Sequence, residues 1–384
     1  MAAWVALLGM AVGCSGSPAV DEESAPAPSP PSTETPTPTP PRPLASLPDD
    51  LRVELPSATV PLIDDAVEID LMSAAAAPTL DEAPVARGLL LAQLNSSSTD
   101  PDRTALRAGQ PYLLTPAGQW RQLDLQRYGF GPRAYGELSA AISSDGRRVA
   151  LAAPSGLVTV NLPDNTFRGF DLPVGHAVGL EWTRDASALL LKARHSEKRP
   201  CGPKGCTLDL GTGELTRVPY DRFYSTPRDD GRVYEVKGST RSGPGLVVTY
   251  PPGGTPTSVE VPYRIVPHSA GGPEVAKDLA FVHFPRSRKA KEERAVVVVE
   301  PTSGAVVATL GDRPSRWGRL GANTWLSDSH LLVDDWVTGD LWLWDVPRGR
   351  LSRAGTSQTT GVNVDVARDV MARRLLGSYR APAG

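Results

Sequence analysis

Between positions 137 and 173 the chain carries four short apolar runs, at 139–143, 148–152, 157–162 and 167–172, and each is parted from the next by turn residues. The first reversal is Ser144-Asp145-Gly146-Arg147, the second Pro154-Ser155-Gly156, and the third contains Asp164-Asn165. Runs of five or six residues bounded by Asp-Gly and Asn turns predict two consecutive β-hairpins.

The pattern returns along the chain. Runs that end a fourth strand stand at 122–125, 169–172, 216–219, 259–262, 307–310 and 351–354, about 43 to 48 residues apart. The first hairpin recurs around Thr183-Arg184-Asp185-Ala186, Asp230-Gly231 and Ser327-Asp328-Ser329. The second recurs around Gly211-Thr212-Gly213, Pro252-Gly253, Ser303-Gly304 and Pro347-Arg348-Gly349. A two-hairpin unit at a period of about 40–50 residues cannot hide both of its faces alone, and stacking the units in a ring buries them. The expected fold class is therefore all-β, a β-propeller of four-stranded antiparallel blades. Six repeats occupy 87–354. The apolar segment Val67-Glu68-Ile69-Asp70-Leu71 and the alternating stretch 361–366 lie outside them, and together they predict a seventh blade built from both ends. Six blades with capping extensions is the alternative. No ten-residue helical pattern is expected.

Two segments carry a resemblance. The stretch 341–351, LWLWDVPRGRL, resembles the third strand and following turn of bacterial WD-repeat blades, and SSDGRRVAL at 143–151 is similar to the repeat of TolB-type propellers. Only Trp344-Asp345 shows the WD dipeptide, so the resemblance implies the fold alone.

The N-terminus reads as an address. Residues 2–13 form an apolar run too short to span a bilayer and of the length of a signal-peptide core. They end in Ala11-Val12-Gly13-Cys14, which resembles the lipobox of bacterial lipoproteins. The resemblance implies acylation of Cys14 and a membrane anchor of stacked acyl chains, each buried methylene contributing about 0.8 kcal/mol. From 15 to 50 the chain is Pro-, Ser-, Thr- and Ala-rich, with TPTPTPPRP at 35–43, and has too few large apolar residues to offset ordering entropy. The domain organisation expected is a signal peptide over 1–14, a disordered tether over 15–50, and a propeller over 51–384 with its closing blade shared by the two ends.

Composition narrows the partners. A formal net charge of −3 with acidic and basic residues interspersed gives no field that selects nucleic acid. Arginine supplies 33 of the 40 basic residues, the bias of a GC-rich genome such as an actinobacterium's. The remaining cysteines, Cys201 and Cys206, have four residues between them and predict one local disulfide, hence an oxidising compartment. The five histidines are scattered, no Gly-x-Ser-x-Gly elbow or phosphate loop is present, and no metal or cofactor is expected. Candidate partner-facing features are the tips 197–206 and 286–294 and the arginines Arg368, Arg373, Arg374 and Arg380. Of the tryptophans crowding the last repeat, Trp342 and Trp344 share a strand face, which predicts packing between blades. The expectation is a monomeric, lipid-anchored, non-catalytic binding or scaffolding module for an envelope protein or glycan, with no assigned binding residue. The alternative is a propeller enzyme, lactonase-like or quinoprotein-like, with its site at the central channel.

Overall fold

The computed structural model describes residues 51–56, 60–94, 106, 109–131, 138–153, 156–171, 177–193, 201, 204–220, 225–227, 231–237, 245–261, 275–276, 279–284, 295–311, 320–335, 338–358 and 361–377. In chain order the elements begin with β1 (Arg52–Glu54), β2 (Leu62–Ile69) and the short helix α1 (Leu71–Ala75). Then come β3 (Leu90–Leu94), β4 (Pro111–Leu114), β5 (Trp120–Gln122), β6 (Ser139–Ile142), β7 (Arg148–Ala153), β8 (Gly156–Asn161) and β9 (Thr166–Phe170). The middle of the chain gives β10 (Ala177–Trp182), β11 (Ala188–Ala193), β12 (Cys206–Asp209), β13 (Leu215–Arg217), β14 (Ser225–Pro227), β15 (Val233–Lys237), β16 (Gly245–Tyr250) and β17 (Thr257–Val261). The last third gives β18 (Val275–Ala276), β19 (Leu279–Phe284), β20 (Ala295–Val299), β21 (Val306–Gly311), β22 (Leu320–Trp325), β23 (His330–Asp335), β24 (Leu341–Asp345), β25 (Arg350–Ser357), β26 (Val362–Val366) and α2 (Arg368–Gly377).

These strands form six sheets among the described residues, and the protein is a β-propeller of small antiparallel blades. Blades 2, 3 and 4 are the sequential quartets β6–β9, β10–β13 and β14–β17. Blades 5 and 6 are β18–β21 and β22–β25, each with a fifth strand on its outer side. Blade 1 is β26-β3-β4-β5, so its innermost strand comes from the C-terminal end. The count of six corrects the expectation of seven. The first repeat supplies only three strands, and the stretch 361–366 completes that blade rather than founding another. The other leftover segment, around Val67, is β2. It runs parallel to β25 on the rim of blade 6.

The blades hold together because both faces of their central strands are apolar and alternate residues face opposite neighbours. In β7, Val149, Leu151 and Ala153 join the core shared with blade 1, while Ala150 and Ala152 join the core shared with blade 3. In β20, Val296 and Val298 face blade 6 and Val297 and Val299 face blade 4. Trp342, Trp344 and Trp325 are buried in the core between blades 5 and 6. Trp317 and Trp336 lie outside the described residues.

The N-terminal segment wraps the rim. β1 pairs parallel with β21 of blade 5, β2 pairs parallel with β25 of blade 6, and Thr79 bridges in parallel to Gln122 of blade 1. Leu80 N donates to Gln122 O at 2.9 Å and Gln122 N to Pro78 O at 3.0 Å, which continues the ladder. Three consecutive outer edges are covered by one stretch of chain.

The helix α2 was not expected. Its Val370, Met371 and Leu375 are buried in the largest core cluster on one side of the helix, while arginines at 368, 373 and 374 mask the apolar signal. Arg374 is engaged within the chain. Its guanidinium donates to the carbonyls of Asp65 (2.8 Å), Pro116 (3.0 Å) and Ala66 (3.3 Å). Asp65 and Ala66 lie in the register break of β2 against β25, where carbonyls leave the ladder. The arginine satisfies them and ties the C-terminal helix to the rim.

Candidate functional site

The innermost strands around the axis are β26, β6, β10, β14, β18 and β22, and their described side chains decide what a central ligand would meet. Polar residues on them include Ser139, Glu181, Asn323 and Asp365. Several bonds cross blade boundaries along this wall. Asn323 Nδ2 of blade 6 donates to Val364 O of blade 1 at 3.0 Å. Ile142 N of blade 2 donates to Asp365 Oδ2 of blade 1 at 2.6 Å. Trp182 Nε1 of blade 3 donates to Ala141 O of blade 2 at 3.1 Å. The first two bonds join the closing strand to both of its neighbours.

Asp365 is the most perturbed acid of this wall. Burial pushes its carboxyl up to about 7, and the backbone donors Ile142 N and Val366 N only partly offset that. In sequence it was visible as the polar member of the alternating run VNVDV, and nothing there showed that this strand would be innermost. The consequence for stability has a defined sign. Unfolded, the group titrates near 3.8; folded, near 7; between these values the native state keeps a proton that the unfolded state releases. Stability from this group is therefore full below pH 4 and lost as pH rises towards 7. The loss is at most about 4 kcal/mol at 1.36 kcal/mol per pK unit, and less where channel water screens the charge. Asp365→Asn is expected to flatten the pH dependence between pH 4 and 7 and to raise the melting temperature at pH 8 while leaving it nearly unchanged at pH 4.5. Melting curves of the two chains that run parallel over this range would refute it.

A serine, a histidine and an aspartate meet in blade 6. His330 Nδ1 lies 3.0 Å from Ser327 Oγ and 3.1 Å from Ser329 Oγ, and its Nε2 lies 4.0 Å from Asp345 Oδ2. The arrangement is a turn rather than a nucleophilic triad. Ser327 Oγ accepts the backbone N–H of His330 at 3.2 Å. In the equivalent turns Ser143 accepts from Arg148 N at 2.9 Å and Thr183 from Ala188 N at 3.0 Å, and neither blade has a histidine there. In blades 2, 3 and 6 the hydroxyl helps to close the first hairpin. Asp345 is held by Arg348 at 3.0 Å, and 4.0 Å to the imidazole exceeds the reach of a triad hydrogen bond. Burial, together with the Arg348 charge, lowers the His330 pKa against the pull of Asp345.

The predicted disulfide is formed. Cys201 and Cys206 are bridged with their Cα atoms 4.9 Å apart, and both are buried in the core between blades 2 and 3. Cys206 opens β12 opposite Leu191, so the bridge fastens the loop at the entry to that strand. Tip residues 197–200 and 286–294, Arg380, His176, His195, His268 and Cys14 lie outside the described residues. Among the described residues no cluster of three histidine, cysteine or carboxylate side chains is placed to hold a metal ion. No helix among them is long and apolar enough to cross a membrane.

No family model matches the chain, and no curated protein matches it. Among solved structures it is similar to TolB from Acinetobacter baumannii, with 15% identity, a TM-score of 0.44, and coverage of 73% of this chain and 66% of that one. It is similar to a chain of a nidogen/laminin complex, with 11% identity, a TM-score of 0.40, and coverage of 73% and 98%. It is also similar to hydrazine synthase of Kuenenia stuttgartiensis, with 13% identity, a TM-score of 0.40, and coverage of 58% and 67%. The class defined here is a six-bladed propeller, established by the chain's own sheets.

Proposed function

We propose that the protein is an extracytoplasmic lipoprotein, acylated at Cys14 and spaced from the membrane by residues 15–50, whose ring binds an envelope protein or glycan without catalysis. The observation that carries this reading is the buried Cys201–Cys206 bridge, because such a bond persists in an oxidising compartment and the run ending in Ala11-Val12-Gly13-Cys14 supplies the route there. The ring supplies the means. Its blades share continuous cores and its inner wall is joined across blade boundaries, so loops and edges are presented on a rigid frame.

The address is tested by expressing the full chain in a bacterium with a lipoprotein pathway. The expected result is partition into the detergent phase and an N-terminal mass carrying acyl chains, both abolished by Cys14→Ala. A full chain in the aqueous phase with an unmodified Cys14 would overturn it. The role is tested with residues 51–384 immobilised against solubilised envelope and cell-wall fragments.

A further inference from the structure

Outer blade edges present unpaired backbone groups, and this chain covers those of blades 5, 6 and 1 with its own N-terminal segment. The next blade in the ring has no such cover among the described residues. On blade 2 the outer strand β9 pairs, among those residues, with β8 alone, and four of its five residues are exposed. The other uncovered edges are poorer platforms. β13 has three residues. At β17, the turn of blade 5 comes up against the end of the strand, where the Cβ position of Gly304 lies 2.3 Å from Glu260 O.

The surroundings of β9 are shaped for a ligand. On one face Phe167 is 46% exposed, with Tyr128 edge-on at 5.4 Å and the Arg127 guanidinium 5.6 Å from the ring. Beside it a cleft of about 250 Å³, which Phe167 also lines, runs between Arg148, Thr159, Arg168, Phe170 and Leu210. Arg168 stacks over Phe170 at 4.7 Å and reaches Leu210 O, and Arg148 donates to Ala186 O at 2.5 Å. Both guanidiniums are thus fixed by carbonyls of blade 3, and both side chains line the cleft. The covered rim also continues into this edge. Arg127 bonds Asp81, where the N-terminal wrap ends, and Asn165, the residue before β9, at 3.0 Å.

We infer that the β9 edge of blade 2 is a docking site for an extended acidic peptide segment of a partner, added as a further strand to the blade. The precedent lies in the same molecule, where three outer edges are capped by extended chain and the longest of these caps, β2 on blade 6, is acidic, with Asp64, Asp65 and Glu68. Strand addition supplies main-chain hydrogen bonds, while Phe167 and the arginine-lined cleft read alternate side chains. A second copy of this chain fits less well. Two β9 strands paired antiparallel about their centre set Arg168 opposite Arg168, and like charges directly opposite are unfavourable. The inference rests on the reading of the ring as a binding module and gives that reading a surface.

The test uses residues 51–384 and labelled octapeptides read by fluorescence anisotropy. One has the chain's own rim sequence LIDDAVEI, a second has lysine at its three acidic positions, and a third is the acidic peptide with a central proline. The acidic peptide is expected to saturate at or below about 1 mM, with the lysine and proline peptides at least tenfold weaker. Arg168→Gln is expected to weaken acidic-peptide binding about tenfold, and Arg168→Glu to reverse the preference towards lysine, both with the cooperative thermal transition retained. Failure of the acidic peptide to saturate, equal binding of acidic and lysine peptides, or indifference to Arg168→Glu would each overturn the site. If envelope capture by the same chain persists in that event, the binding-module reading stands and the rim site alone falls.

Discussion

A chain ending at position 360 is expected to lose the cooperative ring. The missing part carries β26, whose five residues pair with β3 from Val362↔Leu94 to Val366↔Leu90, and α2, which covers the end of that sheet. Val366, Val370, Met371 and Leu375 leave the core with it. At roughly 1.5–3 kcal/mol per buried aliphatic side chain the loss is on the order of 10 kcal/mol, comparable to the whole stability of an ordinary domain. Several bonds go as well: Ala367 N to Leu89 O at 2.9 Å, Asp369 N to Ser144 O at 2.9 Å, and those of Arg374 to the rim. Without β26, the inner edge of β3 opens into the channel, and the bond from Asn323 to Val364 is lost with that from Ile142 to Asp365. Urea unfolding followed by near-ultraviolet dichroism should show no cooperative transition, and a peptide of residues 361–377 added in trans should restore one. A shortened chain that unfolds cooperatively within about 2 kcal/mol of the parent would refute the closing role of this strand.

The second large effect is at one turn. Gly146→Ala is expected to destabilise the protein by at least about 3 kcal/mol, whereas Gly118→Ala should cost about 1–2 kcal/mol. Both glycines have positive φ, +72° and +77°. The conformation alone does not forbid a side chain, since Ala186 adopts φ 54° in the equivalent turn of blade 3. The difference is what a Cβ would meet. At Gly146 it would stand 2.2 Å from Gly88 O and 3.0 Å from Val370 Cγ2, while at Gly118 nothing lies within 4 Å. A backbone oxygen cannot give way as a side-chain tip can, and the bond from Gly88 N to Gly146 O at 2.8 Å would open with the shift. Equal denaturation midpoints for the two variants would show that the contact is not limiting.

The strands of the repeating part were legible because both their signals are local. The six predicted strand ends at 122–125, 169–172, 216–219, 259–262, 307–310 and 351–354 each fall in or against the observed outer strands β5, β9, β13, β17, β21 and β25. Runs such as AVVVV are apolar on both faces because each blade is covered on both sides, and such runs are recognised without knowing the partner. The seventh blade failed because closure is not local. The pairing of Val364 with Ala92 spans nearly the whole chain, and nothing in GVNVDV says whether it completes a deficient blade or begins another. The rim strand LIDDAVEI was seen only at its end, around Val67 and Ile69, its two buried residues, and was assigned to a blade of its own; that it adds in parallel to the outside of blade 6 is again a non-local fact. Cys201 and Cys206 were readable from spacing. Asp365 was not, since its altered protonation comes from neighbours in blade 2 that only the fold brings near.

The rim wrap has a mechanical consequence. A pull on the backbone ahead of Arg52 meets the ladder of β1 on β21 first, then that of β2 on β25 with its arginine clasp, and then the bridge at Thr79, before any strand of a blade is loaded. Tension would be spent peeling one outer layer at a time, and the six sheets would keep their shape until the last of these fastenings had given way.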